Sequence, residues 1–157
     1  LQIAAQNAKS LSADITLQCK DFTHLQSIAS PNVPYVAALS QHTEPAINHG
    51  QWSAIVSNPP YISWRERTQM DKHVVNYEPE VALFVPDDDP LVCYRHIAHY
   101  AKHNLVDGGW LFFEINPLFA NDLESMMTSM GWRDISLHTD QFGKIRFMKC
   151  KKQLILS

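Results

Sequence analysis

Cysteine is scarce in this sequence, and its spacing argues against the two structural uses that cysteine most often has. The chain of 157 residues contains only Cys19, Cys93 and Cys150, with no C-x-x-C pair. Three distant thiols cannot all pair, and they lack the short spacing typical of zinc ligands, so neither a disulfide framework nor a metal site is favoured. We therefore expect reduced thiols, no bound metal and a cytoplasmic protein.

Basic charge and long apolar runs are also lacking. Lys and Arg number 13 against 16 Asp and Glu, which gives a net charge of -3 with His neutral. A negative chain produces no general field that would hold a polyanion, so nucleic-acid binding would have to rest on a local basic patch. No apolar run approaches the ~20 residues that a membrane span needs, and we expect no membrane contact.

Glycine is the third shortage. The five glycines are Gly50, Gly108, Gly109, Gly131 and Gly143, and no G-x-G sequence occurs among them. These residues therefore encode no glycine-rich loop of the kind that wraps a nucleotide cofactor.

The opening residues have the pattern of a helix that is already under way. Ala4, Ala8 and Leu11 recur at helical spacing with polar residues between them. No capping residue precedes them, and position 1 is Leu instead of Met. We expect the chain to be a piece of a longer protein.

The order of the remaining patterns predicts an α/β protein. At 45% hydrophobic residues the chain can bury one domain core. The predicted strands are residues 14–22, 52–58 (buried on both faces), 110–115, 133–140 and 144–151. The predicted helices are 1–12, 87–105 and 118–130, with a long irregular connection at 26–50, a polar lid or substrate-facing loop at 63–80 and a turn at 107–109. Alternating strands and helices that close with an antiparallel hairpin are typical of an open α/β sheet.

The sequence Asn58-Pro59-Pro60-Tyr61 directly follows the predicted strand 52–58. Ligands of open α/β sheets bind at the carboxyl ends of strands. Pro59 has no N–H and keeps Asn58 out of helical geometry, so the carbonyls beside the prolines stay free to accept hydrogen bonds. Asn58 adds a side-chain acceptor, and Tyr61 adds a flat ring and a hydroxyl. These groups can hold a planar NH2; a ligand-free proline turn is the alternative, but it requires neither Asn nor Tyr.

The quartet resembles the N-P-P-Y motif of amino methyltransferases that use S-adenosylmethionine, a group that includes DNA adenine methylases and HemK-type release factor glutamine methyltransferases. Three further stretches resemble the second branch: "NYEPEVALF", "LVDGGWLFFEIN" and "GWRDISLHTDQFGKIRFMKCK". The opening "AAQNAKSL" resembles the helix after that family's second strand, and "CKDF" resembles its adenine-side segment. The resemblance runs over most of the chain.

The resemblance implies a Rossmann-like class I methyltransferase sheet in an enzyme that methylates the side-chain amide nitrogen of a glutamine in a peptide chain release factor. By position, the donor contacts would be Asp21, Phe22 and Asn58, and the catalytic and substrate-binding residues would be Asn58, Pro59, Pro60 and Tyr61. Glu78, in the polar segment after the motif, is a separate candidate for a substrate contact. An amide nitrogen is a weak nucleophile, so the task is orientation and exclusion of water. No strong base is required, because the proton can leave during or after transfer.

The chain departs from the family pattern in ways that limit what it can do alone. The family's first two strands, its glycine-rich loop and its N-terminal helical domain would precede residue 1, which makes residues 1–157 the C-terminal portion of a catalytic domain. Ser53 stands where the family has Asp, and Asn116 ends "EIN" in place of E-x-G. We expect these residues alone to bind S-adenosylmethionine weakly or not at all, to be inactive, and to self-associate through exposed sheet edges.

Two other functions stay open at this point. An adenine N6 methyltransferase acting on DNA or RNA could use the same clamp for an exocyclic amine, but such enzymes carry a basic face and an aromatic platform for the base. The net charge of -3 argues against it. A non-catalytic binding module that keeps the methyltransferase fold is the other possibility.

Other polar clusters have structural explanations. His96, His99 and His103 share a helix face opposite the predicted apolar stripe, so we expect a solvated face and no metal site. The acidic run 87–89 is explained by the dipole of the helix that follows it. Glu114, at the end of a predicted strand, either orients the motif loop or caps a neighbouring helix.

Overall fold

The computed structural model describes residues 2–17 and 52–153. Its helices are α1 (Gln2–Ser10), α2 (Lys72–Tyr77), α3 (Glu80–Leu83), α4 (Val92–Asn104) and α5 (Ala120–Ser129), with 3-10 helices at Trp64–Gln69 and Pro117–Phe119. Its strands are β1 (Trp52–Ser57), β2 (Ile62–Ser63), β3 (Phe84–Val85), β4 (Leu105–Glu114), β5 (Arg133–Thr139) and β6 (Ile145–Lys151). None of the helices in these ranges is long and apolar enough to cross a membrane.

Four of the strands form one mixed sheet in the order β1-β4-β6-β5. β1 and β4 are parallel, and β6 runs antiparallel to both β4 and β5. The strands β2 and β3 form a separate parallel pair. The α/β class and the closing antiparallel hairpin predicted from the sequence are therefore confirmed.

The core lies on one face of this sheet. The side chains of Leu111 and Phe113 in β4, and of Ile115 directly after it, are buried, whereas the alternate side chains Trp110 and Phe112 are only half-buried. This is the period-two pattern of a strand with one face turned to the core. The prediction that residues 110–115 form a strand is confirmed. Only the side chains on one face of this strand are fully buried.

Helix α4 covers that face with the predicted apolar stripe. The buried residues of this stripe are Tyr94, Ile97, Ala98, Ala101 and, just after the helix, Leu105. They recur at helical spacing and belong to the same core cluster as the buried residues of β4. The helix begins at Val92, five residues later than the sequence pattern indicated.

Helix α5 packs beside it and ends as predicted. Leu123 and Met127 are buried in the same cluster. Gly131 follows the helix with a φ of +79°, the left-handed conformation that glycine adopts at no steric cost. A glycine at this position lets the chain turn directly into β5.

The predicted turn at 107–109 is part of β4. Trp52 pairs with Leu105 and Ala54 with Trp110, so β4 carries extra residues opposite β1. Gly109 allows this bulge, because a Cβ at that position would lie 2.9 Å from the carbonyl oxygen of Val106. The strand is thus continuous, with a bulge where the sequence suggested a break.

The strand 52–58 is confirmed as β1, but its predicted burial on both faces is wrong. Val56 is 78% exposed and Trp52 is 50% exposed. Among the described residues β1 pairs only with β4, which leaves one edge of the strand unpaired. A strand covered on fewer sides leaves more of its side chains in contact with solvent.

Two further predictions differ from the structure. Residues 63–80 are not a polar loop, since they form a 3-10 helix followed by α2 and the start of α3. Residues 14–17 have no regular secondary structure, and the rest of the predicted strand 14–22 lies outside the described residues, as does the connection 26–50. The opening helix is confirmed as α1.

Candidate functional site

The motif lies at the carboxyl end of β1, as the sequence predicts. Asn58 follows the last residue of β1, and Tyr61 precedes the first residue of β2. Because β1 and β4 are parallel and Ser57 pairs with Phe113, the motif is adjacent to the end of β4 at Glu114. Two proline rings prevent the chain from continuing as a strand or curling into a helix at this edge.

Tyr61 is held by two hydrogen bonds to the end of β4. Its hydroxyl donates to Oε1 of Glu114 at 2.9 Å. Its carbonyl oxygen accepts from Nδ2 of Asn116 at 3.1 Å. Glu114 therefore orients the motif loop, while the neighbouring 3-10 helix is capped by Asn116, whose Oδ1 accepts from the N–H of Leu118 at 3.0 Å.

Burial and Glu114 keep the phenol of Tyr61 protonated. Burial raises the pKa of Tyr61 to about 12, and the hydrogen bond and negative charge of Glu114 act in the same direction. Arg146 opposes this shift and is outweighed. At neutral pH the hydroxyl of Tyr61 is thus protonated, donates its hydrogen bond to Glu114 and does not act as a base. The ring of Tyr61 can pack against a ligand.

The groups that could hold a ligand NH2 have no partner within the described part of the chain. The side chain of Asn58 is exposed and makes no hydrogen bond there. The carbonyls of Pro59 and Pro60 accept no hydrogen bond from a described residue, although Pro59 is buried and Pro60 half-buried. None of the described residues therefore occupies the oxygen acceptors of this proline turn.

The structure brings the motif together with Glu114 but not with every predicted site residue. Glu78 ends α2 in an exposed position, and no hydrogen bond or ion pair of the described residues joins it to the motif. Asp21 and Phe22 lie outside the described residues. The predicted donor contacts and the Glu78 contact therefore stay predictions.

Three residues that support the motif were not identified from the sequence. They are Glu66, Tyr94 and Asn116. Glu66 has a sequence signal, because Ser63-Trp-Arg-Glu66 is a capping-box pattern and the Ser63 N–H does donate to Glu66 Oε2 at 2.9 Å. Asn116 followed by Pro117 is also a helix-start pattern. Neither pattern could reveal that both side chains meet at the motif.

The acidic run was only partly interpreted correctly. Asp87 accepts hydrogen bonds from the Ser63 hydroxyl and from the Arg65 N–H, the latter at 3.0 Å, and these bonds hold the pKa of Asp87 below its usual range. Asp89 forms a two-pronged pair with Arg95, with both distances 2.8 Å. Asp87 therefore fixes the segment that follows the motif, a role that the helix dipole does not describe.

The histidine face of α4 is more buried than expected at one position. His99 and His103 are exposed, but His96 is half-buried, and its Nδ1 is buried without a hydrogen-bond partner in the described part of the chain. Burial lowers the pKa of His96 and of His99, and the positive charge of Arg95 adds to the effect. No cluster of three or more His, Cys, Asp or Glu arranged to hold a metal ion occurs in the described ranges.

Titration of Tyr61 tests the bond to Glu114. The difference between the wild-type titration and that of Tyr61→Phe, followed by tyrosinate absorbance, should show one phenol with a pKa of about 12. Glu114→Gln should lower this pKa while leaving it above the ordinary ~10, because burial remains. The raised pKa stabilises the fold at and below pH ~10, and this stabilisation is lost as the pH rises through 12. Ionisation of Tyr61 near pH 10 would contradict the geometry.

Comparison with known proteins identifies relatives over nearly the whole chain. A release factor glutamine methyltransferase from Bacteroides thetaiotaomicron is 35% identical over 152 residues, which is 97% of this chain and 48% of that protein. One from Flavobacterium psychrophilum is 37% identical over 99 residues, 63% of this chain and 35% of that protein. No protein-family model matches the chain. The chain thus spans half or less of the length of these relatives.

A solved structure is also similar to this chain. It is the crystal structure of a release factor-specific protein-(glutamine-N5) methyltransferase from Alicyclobacillus acidocaldarius, with a TM-score of 0.39 and 24% identity. The match covers 66% of this chain and 50% of that one. The family assignment rests on the sequence identities and not on this superposition.

The chain has an Asn-Pro-Pro-Tyr turn at the end of a parallel strand, and its relatives are named methyltransferases. These two findings together define the class of protein as a methyltransferase. More particularly, the chain belongs to the release factor glutamine methyltransferase family, because 35% identity extends over 97% of its residues.

Proposed function

We propose that the protein transfers a methyl group from S-adenosylmethionine to the side-chain amide nitrogen of a glutamine in a peptide chain release factor. The observation that carries this proposal is that Asn58 is exposed while the turn that bears it is held in place. Asn58 is exposed at the carboxyl end of β1 and has no hydrogen-bond partner among the described residues, on a turn whose Tyr61 is fixed by hydrogen bonds from its hydroxyl to Glu114 and to its carbonyl from Asn116. A rigid turn with vacant acceptors is suited to receive an NH2 group.

The acceptor oxygens account for binding of the glutamine amide. Oδ1 of Asn58 and the carbonyl of Pro59 or Pro60 would each accept one hydrogen of the amide NH2, which leaves the lone pair of the planar nitrogen perpendicular to the plane of these two bonds. The Tyr61 ring would lie against the planar amide. Asp140, Glu114 and the other carboxylates of the described residues need not act as a base, because the amide proton can pass to water once the nitrogen has become positive.

The chemistry of the donor fits these residues. S-adenosylmethionine supplies an electrophilic methyl group, so that a nitrogen–carbon bond forms as the carbon–sulfur bond breaks and its electron pair stays on sulfur. The chain contributes orientation, since a well-aligned nucleophile lowers the barrier without any acid or base group. We propose Asp21, Phe22 and Asn58 as the donor contacts, and Glu78 as an additional substrate contact.

Methyl transfer by the intact protein tests the proposal directly. With methyl-labelled donor, a release factor peptide that contains the target glutamine should become labelled, and the same peptide with Gln replaced by Glu should not. A single-stranded oligonucleotide containing adenine serves as the competing substrate. Label in the oligonucleotide and none in the peptide would establish an adenine methyltransferase, and label in neither, with no donor binding, would leave a binding module.

A further inference from the structure

Asn116 is a buried polar residue that connects the motif to the segment after it. Its side chain is 5% exposed. Its Nδ2 donates to the Tyr61 carbonyl at 3.1 Å and to the two carboxylate oxygens of Glu66 at 3.2 and 3.0 Å. Its Oδ1 caps the following 3-10 helix. Every hydrogen-bonding group of this amide is therefore used.

The backbone of Asn116 is fixed as well. Its N–H donates to the hydroxyl of Tyr94 at 3.3 Å, and that hydroxyl donates to the carbonyl oxygen of Glu114 at 3.2 Å. Tyr94 is 1% exposed and lies in the core against Phe113, with the ring centroids 5.1 Å apart and an interplanar angle of 82°. The core residue Tyr94 thus fixes the backbone of Asn116. The side chain of Asn116 in turn fixes the carbonyl of Tyr61 relative to the core.

Glu66 extends the same contacts to the segment after the motif. Its carboxylate accepts from the Asn116 amide and from the N–H of Ser63. Ser63 has no exposed surface and also donates through its hydroxyl to Asp87. The chain on the far side of Tyr61 is therefore tied to Asn116 at two points, the Tyr61 carbonyl and the Glu66 carboxylate.

We propose that Asn116 is a positioning residue for the motif, acting through Tyr61 and Glu66; this inference rests on the proposed methyl transfer. The two hydrogens of its amide hold the Tyr61 carbonyl and the Glu66 carboxylate on either side of one fixed nitrogen. Glycine at this position, as in the E-x-G pattern, would have no side chain to make these bonds. In this chain the presentation of Asn58 and Tyr61 to substrate depends on Asn116.

The variant Asn116→Asp in the intact protein tests this role with the smallest change in shape. Asp keeps the acceptor that caps Leu118 but replaces the donating NH2 by an oxygen that faces the Tyr61 carbonyl and the Glu66 carboxylate. We expect kcat for methyl transfer to fall by ~10-fold, which is the order of the penalty for leaving a buried polar group unpaired. KM for the donor should be unchanged. Hydrogen exchange of the Ser63 amide should become faster by a similar factor, while exchange in β6 stays constant.

A second variant separates positioning from simple destabilisation. In Asn116→Asp with Glu66→Gln, the new Gln amide can donate to Asp while its oxygen still accepts from the Ser63 N–H, but the Tyr61 carbonyl stays unpaired. We expect Ser63 exchange to return towards the wild-type rate while kcat stays low. Recovery of kcat together with exchange, or an Asn116→Asp enzyme with wild-type kcat, would overturn the proposal.

The exchange measurement keeps this inference distinct from the proposed function. If the wild-type protein methylates no glutamine peptide, the proposed function fails, yet the exchange of Ser63 in the two variants still reports whether Asn116 holds the segment. Unchanged exchange in Asn116→Asp would overturn the structural part of the inference whatever the substrate.

Discussion

Asn58→Ala in the intact protein should lower methyl transfer to the glutamine peptide by ~10²-fold or more, because the amide nitrogen depends on orientation for its reactivity. Asn58 is the exposed residue of the motif, and its side chain has no hydrogen-bond partner among the described residues. Removing it should therefore leave folding stability within ~0.5 kcal/mol of wild type, as for other surface positions. A loss of activity without a loss of stability is the result expected of a group that contacts substrate.

A matched control is available on α5. Asn121 is also exposed, and Asn121→Ala makes the same chemical change away from the motif. This variant should retain wild-type activity. Equal activities for Asn58→Ala, Asn121→Ala and the wild type would show that the motif does not hold the substrate amide, and the family relationship would then describe ancestry without this mechanism.

Phe113→Ala should produce the largest loss of stability, ~3–5 kcal/mol, because it empties a large volume in the core. Phe113 is 1% exposed, packs edge-to-face on Tyr94 and lies opposite Met148 of β6. A domain of ordinary stability has only ~5–15 kcal/mol in total, so this single change removes a substantial part of it. Urea unfolding of the intact protein, followed by fluorescence and circular dichroism, measures the difference.

Phe142 provides the matched comparison, since it is 78% exposed in the turn between β5 and β6. Its backbone N–H donates to Asp140, a bond that truncation of the side chain leaves in place. Phe142→Ala should change the free energy of unfolding by no more than ~0.5 kcal/mol. Similar unfolding midpoints for the two variants would mean that the core is not centred on the buried face of β4.

Much of the fold was predictable because its signals are local. The stripe on α4, the glycine after α5 and the alternation along β6 each lie within one continuous segment, where spacing alone indicates the structure. The burial of β1 could not be judged in this way. An apolar run predicts a strand, but how many neighbours the strand has depends on pairing with distant segments.

The contacts that support the motif were also not predictable from the sequence, because they join segments that are far apart in the chain. Glu66 and Tyr61 are five residues apart in sequence, whereas Asn116 is 55 residues from Tyr61 along the chain. Ser63-x-x-Glu66 and Asn116-Pro117 each have a local explanation as helix starts, and both explanations are confirmed. That the two helix starts meet, with the Glu66 carboxylate accepting from the Asn116 amide, requires the parallel pairing of β1 with β4.

The sequence alone determined the class of fold, the position of the motif at a strand end and the relationship to amino methyltransferases, because these depend on periodicity, proline geometry and the order of short segments. The tertiary structure alone decided what fixes the motif in place. Hydrogen bonds between residues far apart in the chain depend on distances of about 3 Å. The pairing of β1 with β4 brings Glu114 and Asn116 to such distances from Tyr61, and the packing of α4 against β4 adds Tyr94.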